Sequence, residues 1–243
     1  MKDLISAEAL KLRTLWLPRL VLVLAGLGTG FILFAVVQIA QDEHTTVTAS
    51  GLATAPAQPL WFLAVIVAVL AAAGEFQHRT IYTTLLQEPR RRKLVAAKAI
   101  VAAGYGATVT LVGTVAAIVV GVLSLHAKHM PVGSFDADMW LRLFGSVTIG
   151  TMWAVLAAGL GMLARNSAVA LVGVLLWKFV LEGVLPIVTR SGGVSRWLPS
   201  GAADAMLSGR TGLLEPWAGG LLLAAYAAVI VFAASLVFTL RDA

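Results

Sequence analysis

Residues 95–125 read VAAKAIVAAGYGATVTLVGTVAAIVVGVLSL, and this stretch decides the fold class. A helix needs about 20 apolar residues to cross the hydrocarbon core of a bilayer. Strands of a membrane barrel would instead show segments of about ten residues in which apolar and polar residues alternate. The stretch has no such alternation, so it predicts a membrane-spanning helix that is long enough to project beyond the bilayer at one end.

Five further apolar runs have the length of a membrane span. Of the 243 residues, 59% are hydrophobic and only 12% are charged, whereas a soluble domain carries about 25% charged residues. Most apolar side chains must therefore face lipid. We predict an all-α integral membrane protein with a single membrane domain over residues 1–243 and six transmembrane helices, at residues 20–39, 60–76, 95–125, 139–163, 168–188 and 217–240.

The basic residues predict the orientation of these spans. Twelve Lys and Arg residues fall at one predicted end of the bundle and five at the other. Cytoplasmic loops of membrane proteins carry the excess of Lys and Arg. We therefore expect both termini in the cytoplasm and the chain in the cytoplasmic membrane, in contact with lipid. The net charge of +6 then reflects topology, and no nucleic-acid partner is expected.

The segment before the first span predicts a helix that lies along the membrane surface. Residues 2–17 place apolar side chains on one face of a helix and polar side chains opposite. Such helices bind at the boundary between lipid and water, and Pro18 is expected to end this one. Glu8 falls within the apolar face, where it either pairs with Lys11 or contacts another chain.

The loop at residues 77–92 combines apolar and basic residues. Apolar side chains recur at i, i+4 spacings and predict a short amphipathic helix that ends at Glu88 and Pro89. The four basic residues 90–93 favour contact with anionic headgroups. Headgroup contact does not explain an apolar face turned to the cytosol, which is typical of a docking surface for a soluble partner. The apolar residues of this helix are Ile81, Tyr82, Leu85 and Leu86.

The segment at residues 189–215 is too polar to span a membrane and too apolar to be a free loop. Pro199 and Ser200 can begin a short helix, and Ser208 and Gly209 can end it. We predict a pair of half-helices that re-enter the membrane from the outer side.

The residue types exclude several chemistries. The chain has no cysteine, which excludes disulfides, thiolate metal sites and thiol catalysis. It has no Gly-Lys dipeptide and therefore no phosphate-binding P-loop. The histidines and aspartates near residues 126–138 fit a solvated loop better than a metal site. We predict that the chain is not an enzyme and that it holds no metal and no cofactor of its own.

Lys178 and Glu182 are charged residues inside the fifth predicted span. At i, i+4 they share one face of the helix and can pair. An unpaired charge at the bilayer centre costs about 3 kcal/mol, so the pair should face the protein interior. The pair either joins helices structurally or, with Trp177, forms a polar part of a translocation path.

A resemblance to a known family comes from residues 75–92, EFQHRTIYTTLLQEPRRR, which resemble the first cytoplasmic loop of ABC-type-2 transporter permeases. Residues 7–14, AEALKLRT, are similar to the start of the same family, especially of its actinobacterial members. The resemblance implies a bacterial permease subunit with two ATP-binding cassette ATPase subunits as partners. ATP and magnesium would be bound by those partners, and a second permease copy or a sibling permease would complete the pathway.

The resemblance also assigns roles to residues. Residues 2–17 would be the interfacial connecting helix, and the loop at 77–92 would hold the coupling helix that docks on the ATPase. Lys178 and Glu182 match no motif of the family. The implied docking residues are Arg79, Thr80, Ile81, Tyr82, Leu85, Leu86, Glu88 and Pro89. The residues expected to form a cytoplasmic contact or hinge are Glu8, Lys11, Glu75, Arg90, Arg91 and Arg165.

We therefore expect the permease subunit of an ATP-driven exporter that moves an amphiphilic substrate, such as a drug, an antibiotic or a lipid-like molecule. Two alternatives remain open at this stage. One is a secondary carrier that couples transport to an ion through the Lys178–Glu182 pair. The other is a membrane scaffold that transports nothing.

Overall fold

The computed structural model describes residues 1–39, 49–78, 80–130, 135–188, 192–208 and 212–240. These residues form helices and the turns between them, and they contain no strand. Two π-helical segments, Leu24–Gly28 and Leu176–Leu181, join α2 to α3 and α9 to α10. The α-helices are α1 (Lys2–Thr14), α2 (Trp16–Val23), α3 (Thr29–Ile39), α4 (Ala49–Thr54), α5 (Ala57–Gln77), α6 (Ile81–Gln87), α7 (Arg91–Ala127), α8 (Ala137–Ala164), α9 (Ser167–Leu175), α10 (Glu182–Val188), α11 (Gly192–Ser195), α12 (Pro199–Ser208) and α13 (Pro216–Leu240).

Six helical stretches in the described part of the chain are long and apolar enough to cross a membrane, which confirms the predicted all-α architecture. The third stretch is α7, whose 37 residues extend about 55 Å at 1.5 Å per residue. A hydrocarbon core of about 30 Å cannot contain that length, so α7 projects from the bilayer as predicted. The six stretches are Trp16–Ile39, Pro59–Gln77, Arg91–Ala127, Ala137–Ala164, Ser167–Leu185 and Pro216–Leu240.

The bundle has two ends that differ in their contents. The end that carries α1, α6 and the turn between α8 and α9 is called the base here. The opposite end carries α4, α11 and α12 and is called the crown. At the crown, the Lys128 ammonium donates to the carbonyl oxygens of Val37 and Gln38 at 2.7 and 2.9 Å. A cation is favourable there because the carbonyl end of a helix carries partial negative charge.

The N-terminal helix ends earlier than expected. α1 ends at Thr14, and Leu15 adopts an extended backbone conformation (φ −70°, ψ 142°) before α2 begins. Pro18 therefore lies in the first turn of α2 and does not end α1. Proline fits that turn because its missing N–H would have no helical partner there.

The centre of the bundle is formed by α5, α7 and α8. Trp153 of α8 is 2% exposed and stacks on Trp61 of α5, with ring centroids 4.6 Å apart and planes inclined by 26°. Lipid competes equally well for apolar surface, so helices in a membrane associate through close packing rather than through exclusion of water. Two stacked indoles supply a large share of that packing between α5 and α8.

The closest helix crossing joins α7 and α8 through glycine. A methyl group at Gly106 would lie 2.5 Å from the carbonyl oxygen of Gly150, and one at Gly150 would overlap the side chain of Thr110. Gly106 and Thr110 are four residues apart on α7, which is the small-xxx-small pattern of tight membrane helix pairs. The two backbones can approach this closely only because neither glycine has a side chain.

We expect Gly106→Ala to lower the free energy of unfolding by about 1–3 kcal/mol, because the added methyl must separate two backbones. Gly104→Ala is the matched control, since nothing lies within 4 Å of a methyl group at that position on the same helix. Thermal unfolding of the purified chain in detergent measures both. Equal stability of the two variants would contradict the close crossing.

Candidate functional site

A closed ring of charges lies at the base. Glu8 of α1 is 6% exposed, and its carboxylate forms ion pairs with the ammonium groups of Lys11 at 2.6 Å and Lys98 at 2.9 Å. Glu75 at the end of α5 forms ion pairs with the same two lysines at 2.8 and 2.9 Å. Two carboxylates and two ammonium groups therefore alternate around the ring, which we call the lysine–glutamate ring. It joins α1, α5 and α7 and carries no net charge.

The pKa values of the α1 groups favour the charged forms. Burial alone would raise the pKa of Glu8, but the ammonium groups of Lys98 and Lys11 outweigh it and hold that pKa below the ordinary 4.5. Burial alone would lower the pKa of Lys11, but hydrogen bonds from Lys11 to Glu75 and Glu8 raise it above 10.5 overall. The Glu8 contribution to stability is lost as pH falls through its lowered pKa, and the Lys11 contribution is lost as pH rises through its raised one. Between those limits both contributions are present.

The ring contains expected and unexpected members. The Glu8–Lys11 contact is one of the two alternatives that the sequence left open, and Glu75 lies beside it. Lys98 was not predicted as a site residue. Its signal was nevertheless present, because it is the sole charge within the apolar run at 95–125, and a charge in such a run requires a buried partner.

Arginines and phenylalanines form a second contact network at the base. The guanidinium of Arg91 lies 5.7 Å from the centroid of the Phe238 ring, and that of Arg165 lies 5.4 Å from the Phe76 ring. The two phenyl rings meet edge to face, 5.7 Å apart. Arg91 also donates to the carbonyl oxygen of Phe238 at 2.9 Å. Cation–π contacts thus tie α7 and the end of α8 to the ends of α13 and α5.

Three consecutive residues at the end of α5 contact different elements. Glu75 binds α1 and α7 through the ring, and Phe76 contacts Arg165 and Phe238. Gln77 accepts a hydrogen bond from the hydroxyl of Ser167, the first residue of α9. We call residues 75–77 the α5 junction. Through these contacts the junction reaches α1, α7, α13, the residue that follows α8 and the first residue of α9.

The short helix α6 follows the junction and turns only part of its apolar surface inward. Ile81 is 2% exposed, and the partly buried Leu85 packs against the core. Tyr82 and Leu86 lie on the other side, 50% and 86% exposed. The predicted amphipathic helix is present, but its outward apolar face consists of two residues rather than four, because Ile81 and Leu85 hold α6 against the bundle.

The remaining predicted docking residues flank α6. Thr80 precedes it and is exposed, and Glu88 accepts a hydrogen bond from the backbone N–H of Arg90 at 3.2 Å just after it. Pro89 and Arg90 are exposed. Arg79 lies outside the described residues. The base therefore gathers most of the residues predicted to dock a partner or to form a contact or hinge.

The Lys178–Glu182 pair belongs to a separate cluster that reaches the crown helix α12. The Lys178 ammonium lies 3.7 Å from the Glu182 carboxylate and also hydrogen-bonds the Ser200 hydroxyl. The other Glu182 oxygen accepts from Trp177 at 2.9 Å and from the backbone N–H of Ser200 at 3.3 Å. A carboxylate at the first turn of α12 is favourable because that end of a helix is partially positive.

These contacts join the fifth span to α12. Arg142 completes the arrangement by donating to the carbonyl oxygen of Leu207 at the far end of α12. The helix is thus held by an anion at its first turn and by a cation at its last. The geometry favours the structural role for the Lys178–Glu182 pair. A role in a translocation path stays a prediction.

Comparison with known proteins gives the family. Residues 4–187 match the sequence model of a family described as ABC-2 family transporter protein, which is about three quarters of the chain. The chain belongs to this family. The matched range contains the ring, the α5 junction, α6 and the Lys178–Glu182 pair, and it confirms the resemblance read from residues 7–14 and 75–92. A search of curated proteins found no match.

As a member of this family of transporter permeases, the chain is a membrane protein, and its described residues contain six candidate spans. Lys98 offers a direct test of the base of this subunit. We expect Lys98→Met to lower the free energy of unfolding by about 3 kcal/mol, because two buried carboxylates would then share the single ammonium of Lys11.

Lys93→Met is the matched control for Lys98→Met. Lys93 lies five residues earlier on α7, and within the described residues it makes no ion pair. Chemical or thermal unfolding in the same detergent measures both variants. If Lys98→Met is as stable as Lys93→Met, the ring does not hold the base together.

Proposed function

We propose that this ABC-2 chain is the permease subunit of an ATP-driven exporter in the cytoplasmic membrane of a bacterium, with its base and both termini in the cytoplasm. The observation that carries the proposal is the apolar surface that α6 exposes. This helix places a leucine that is 86% exposed directly below the α5 junction. An apolar helix face at a polar, basic base is the surface that a soluble partner would cover.

The proposed partner is an ATP-binding cassette ATPase, two copies of which would bind ATP and magnesium and serve a pair of permeases. The permease itself has no phosphate-binding loop motif, so the free energy of ATP hydrolysis must reach it through contact with the ATPase. In this proposal α6 is the coupling helix. The positive charge of residues 90–93 beside it would meet headgroups or an acidic partner surface.

The contacts at the base support a route for that work. α6 is separated from the α5 junction by three residues, and the junction touches α1, α7, α8, α9 and α13. A displacement of α6 would therefore act on the base ends of several spans together. Packed elements of this kind shift between discrete arrangements instead of deforming gradually, which is what alternating access requires.

We expect Leu86→Asp to abolish association with the partner ATPase that co-purifies with the unchanged chain, and to abolish the ATP hydrolysis that the permease stimulates. The side chain is exposed, so folding should be unchanged, while a charge in an apolar contact prevents docking. Leu86→Met is the control and should retain both properties. Leu85 is a poorer choice because it packs against the core.

Co-purification and ATPase turnover in lipid nanodiscs measure this prediction. A Leu86→Asp chain that still binds the ATPase with normal turnover would refute α6 as the docking helix. Equal loss in Leu86→Met would point to a general effect of any change at the position.

The fifth span supports the proposal that a second copy of the chain completes the pathway. In the 18-residue apolar window of Ser167–Leu185, 11% of the residues are buried, which is the lowest share among the six spans of the described chain. Its Lys178–Glu182 pair already faces α12, so the part of the span left uncovered is apolar. A neighbouring copy would cover the exposed face that includes Val172, Leu176, Val180 and Val184.

Single cysteines at these four positions test the dimer, since the chain has no cysteine of its own. We expect at least one of them to form a disulfide-linked dimer in oxidised membranes, because residues near a two-fold axis approach their own copies. Val119→Cys on α7 is the control at equal exposure (50%) and should stay monomeric. Absence of a dimer band at all four positions would rule out this interface.

An amphiphilic substrate is proposed because the cavities in the described structure have mainly apolar walls. The ion-coupled carrier has less support, since Lys178 and Glu182 are both engaged by Ser200. Transport into vesicles that requires ATP and persists without a proton gradient would favour the exporter. Transport driven by a proton gradient without ATP would favour the carrier, and no transport under either condition would favour a scaffold.

A further inference from the structure

A large cavity lies at the base beside the lysine–glutamate ring. Its volume is about 720 Å³, and it is bounded by the bend between α1 and α2, by α5 and by α7. Cavities that bind drug-sized ligands measure about 300–1,000 Å³ and combine apolar walls with a few polar groups. This cavity fits that description, because its apolar walls end on the four charged residues of the ring. The apolar lining includes Val67, Ala68, Ala71, Val101 and Ala102.

The two lysines of the ring differ in exposure. The side chain of Lys98 is 5% exposed, whereas that of Lys11 is 45% exposed. The carboxylates of Glu8 and Glu75 are nearly as buried as Lys98, at 7% and 13%. Lys11 can therefore turn its ammonium toward water on a flexible stem, while the other three groups cannot leave the protein.

The departure of Lys11 changes the charge of the ring. Two carboxylates would then face the single ammonium of Lys98, so the ring would carry a net charge of −1. A buried net charge is costly unless another ion replaces the one that left. The cavity adjoins all four ring residues, so a ligand in it can supply the replacement.

We propose that the cavity binds a monocationic amphiphile, whose cation replaces Lys11 between Glu8 and Glu75 and whose apolar body lies against α5 and α7. The inference rests on the proposed exporter function and narrows its substrate class from amphiphiles in general to cationic ones. The ring is neutral before Lys11 leaves and is neutral again once the ligand cation has taken its place. An anion would have to approach the two carboxylates, and a neutral amphiphile would leave Lys11 in place.

A matched pair of probes tests the charge preference. Tetraphenylphosphonium and tetraphenylborate have nearly the same size and shape and opposite charge. Equilibrium dialysis against the purified full chain in nanodiscs of neutral lipid, without any ATPase, measures their binding. We expect saturable binding of the phosphonium cation and only unsaturable partition of the borate anion. Saturable binding of both ions, or of the anion alone, would overturn the proposal.

Ring variants separate ligand binding from a purely structural ring. Lys11→Met removes the competing cation, so we expect it to bind tetraphenylphosphonium about fivefold more tightly. Lys2→Met is the control, an exposed lysine of α1 whose loss should leave the affinity unchanged. The double variant Lys11→Met/Glu75→Gln restores charge balance with Lys98 and Glu8, and it should lose the gain. Unchanged or weaker binding by Lys11→Met would overturn the proposal.

A wall variant locates the site. Ala71 lines the cavity from α5 one helical turn before Glu75, so Ala71→Phe should place a phenyl ring in the cavity beside the lysine–glutamate ring and abolish saturable binding. Persistence of binding in this variant would show that the cation binds elsewhere and would overturn the proposal. Failure in these binding assays leaves the ATP dependence of transport intact. If the chain binds the cation but its transport does not depend on ATP, the exporter proposal is refuted and the cation site is retained.

Discussion

The structure of the base depends on the burial of charge. Glu8, Glu75 and Lys98 are each largely removed from water, and each would be costly without its partners. Only a closed ring gives each of them an oppositely charged partner, and it can close only when α1 lies against the ends of α5 and α7. The position of the N-terminal helix therefore follows from the ring, because its apolar face alone would allow it to slide along the bilayer surface.

The α5 junction extends this constraint to the rest of the base. Residues 75–77 use three kinds of interaction, namely ion pairs, aromatic contacts and a hydrogen bond, to reach elements that are distant in sequence. Since α6 follows the junction after three residues, the proposed docking helix and the span ends are mechanically close. The crown is organised differently, through charges placed at the ends of α3 and α12.

The sequence predicted the six spans because lipid leaves a long apolar chain no alternative to helix. Local spacing also indicated the Glu8–Lys11 pair, three residues apart. The sequence could not indicate that Lys98 pairs with Glu8, 90 residues away, or which of 23 glycines form the α7–α8 crossing. In α6, Ile81/Leu85 and Tyr82/Leu86 are equally good apolar pairs about 100° apart, and only packing decides that the first faces inward.

The fifth span joins the core near the base and the crown helix α12 at its other end. The fifth span is the least buried, and one hydrogen bond from Ser167 joins it to the α5 junction. The Lys178 ammonium also lies 5.7 Å from the centroid of the Trp61 ring of α5, and Lys178 and Glu182 join the span to α12 beside a π-helical segment. Such segments often mark functional sites in helices. Because this cluster ties the fifth span to both α12 and Trp61, α12 cannot separate from α5 unless the contacts of Lys178 and Glu182 break.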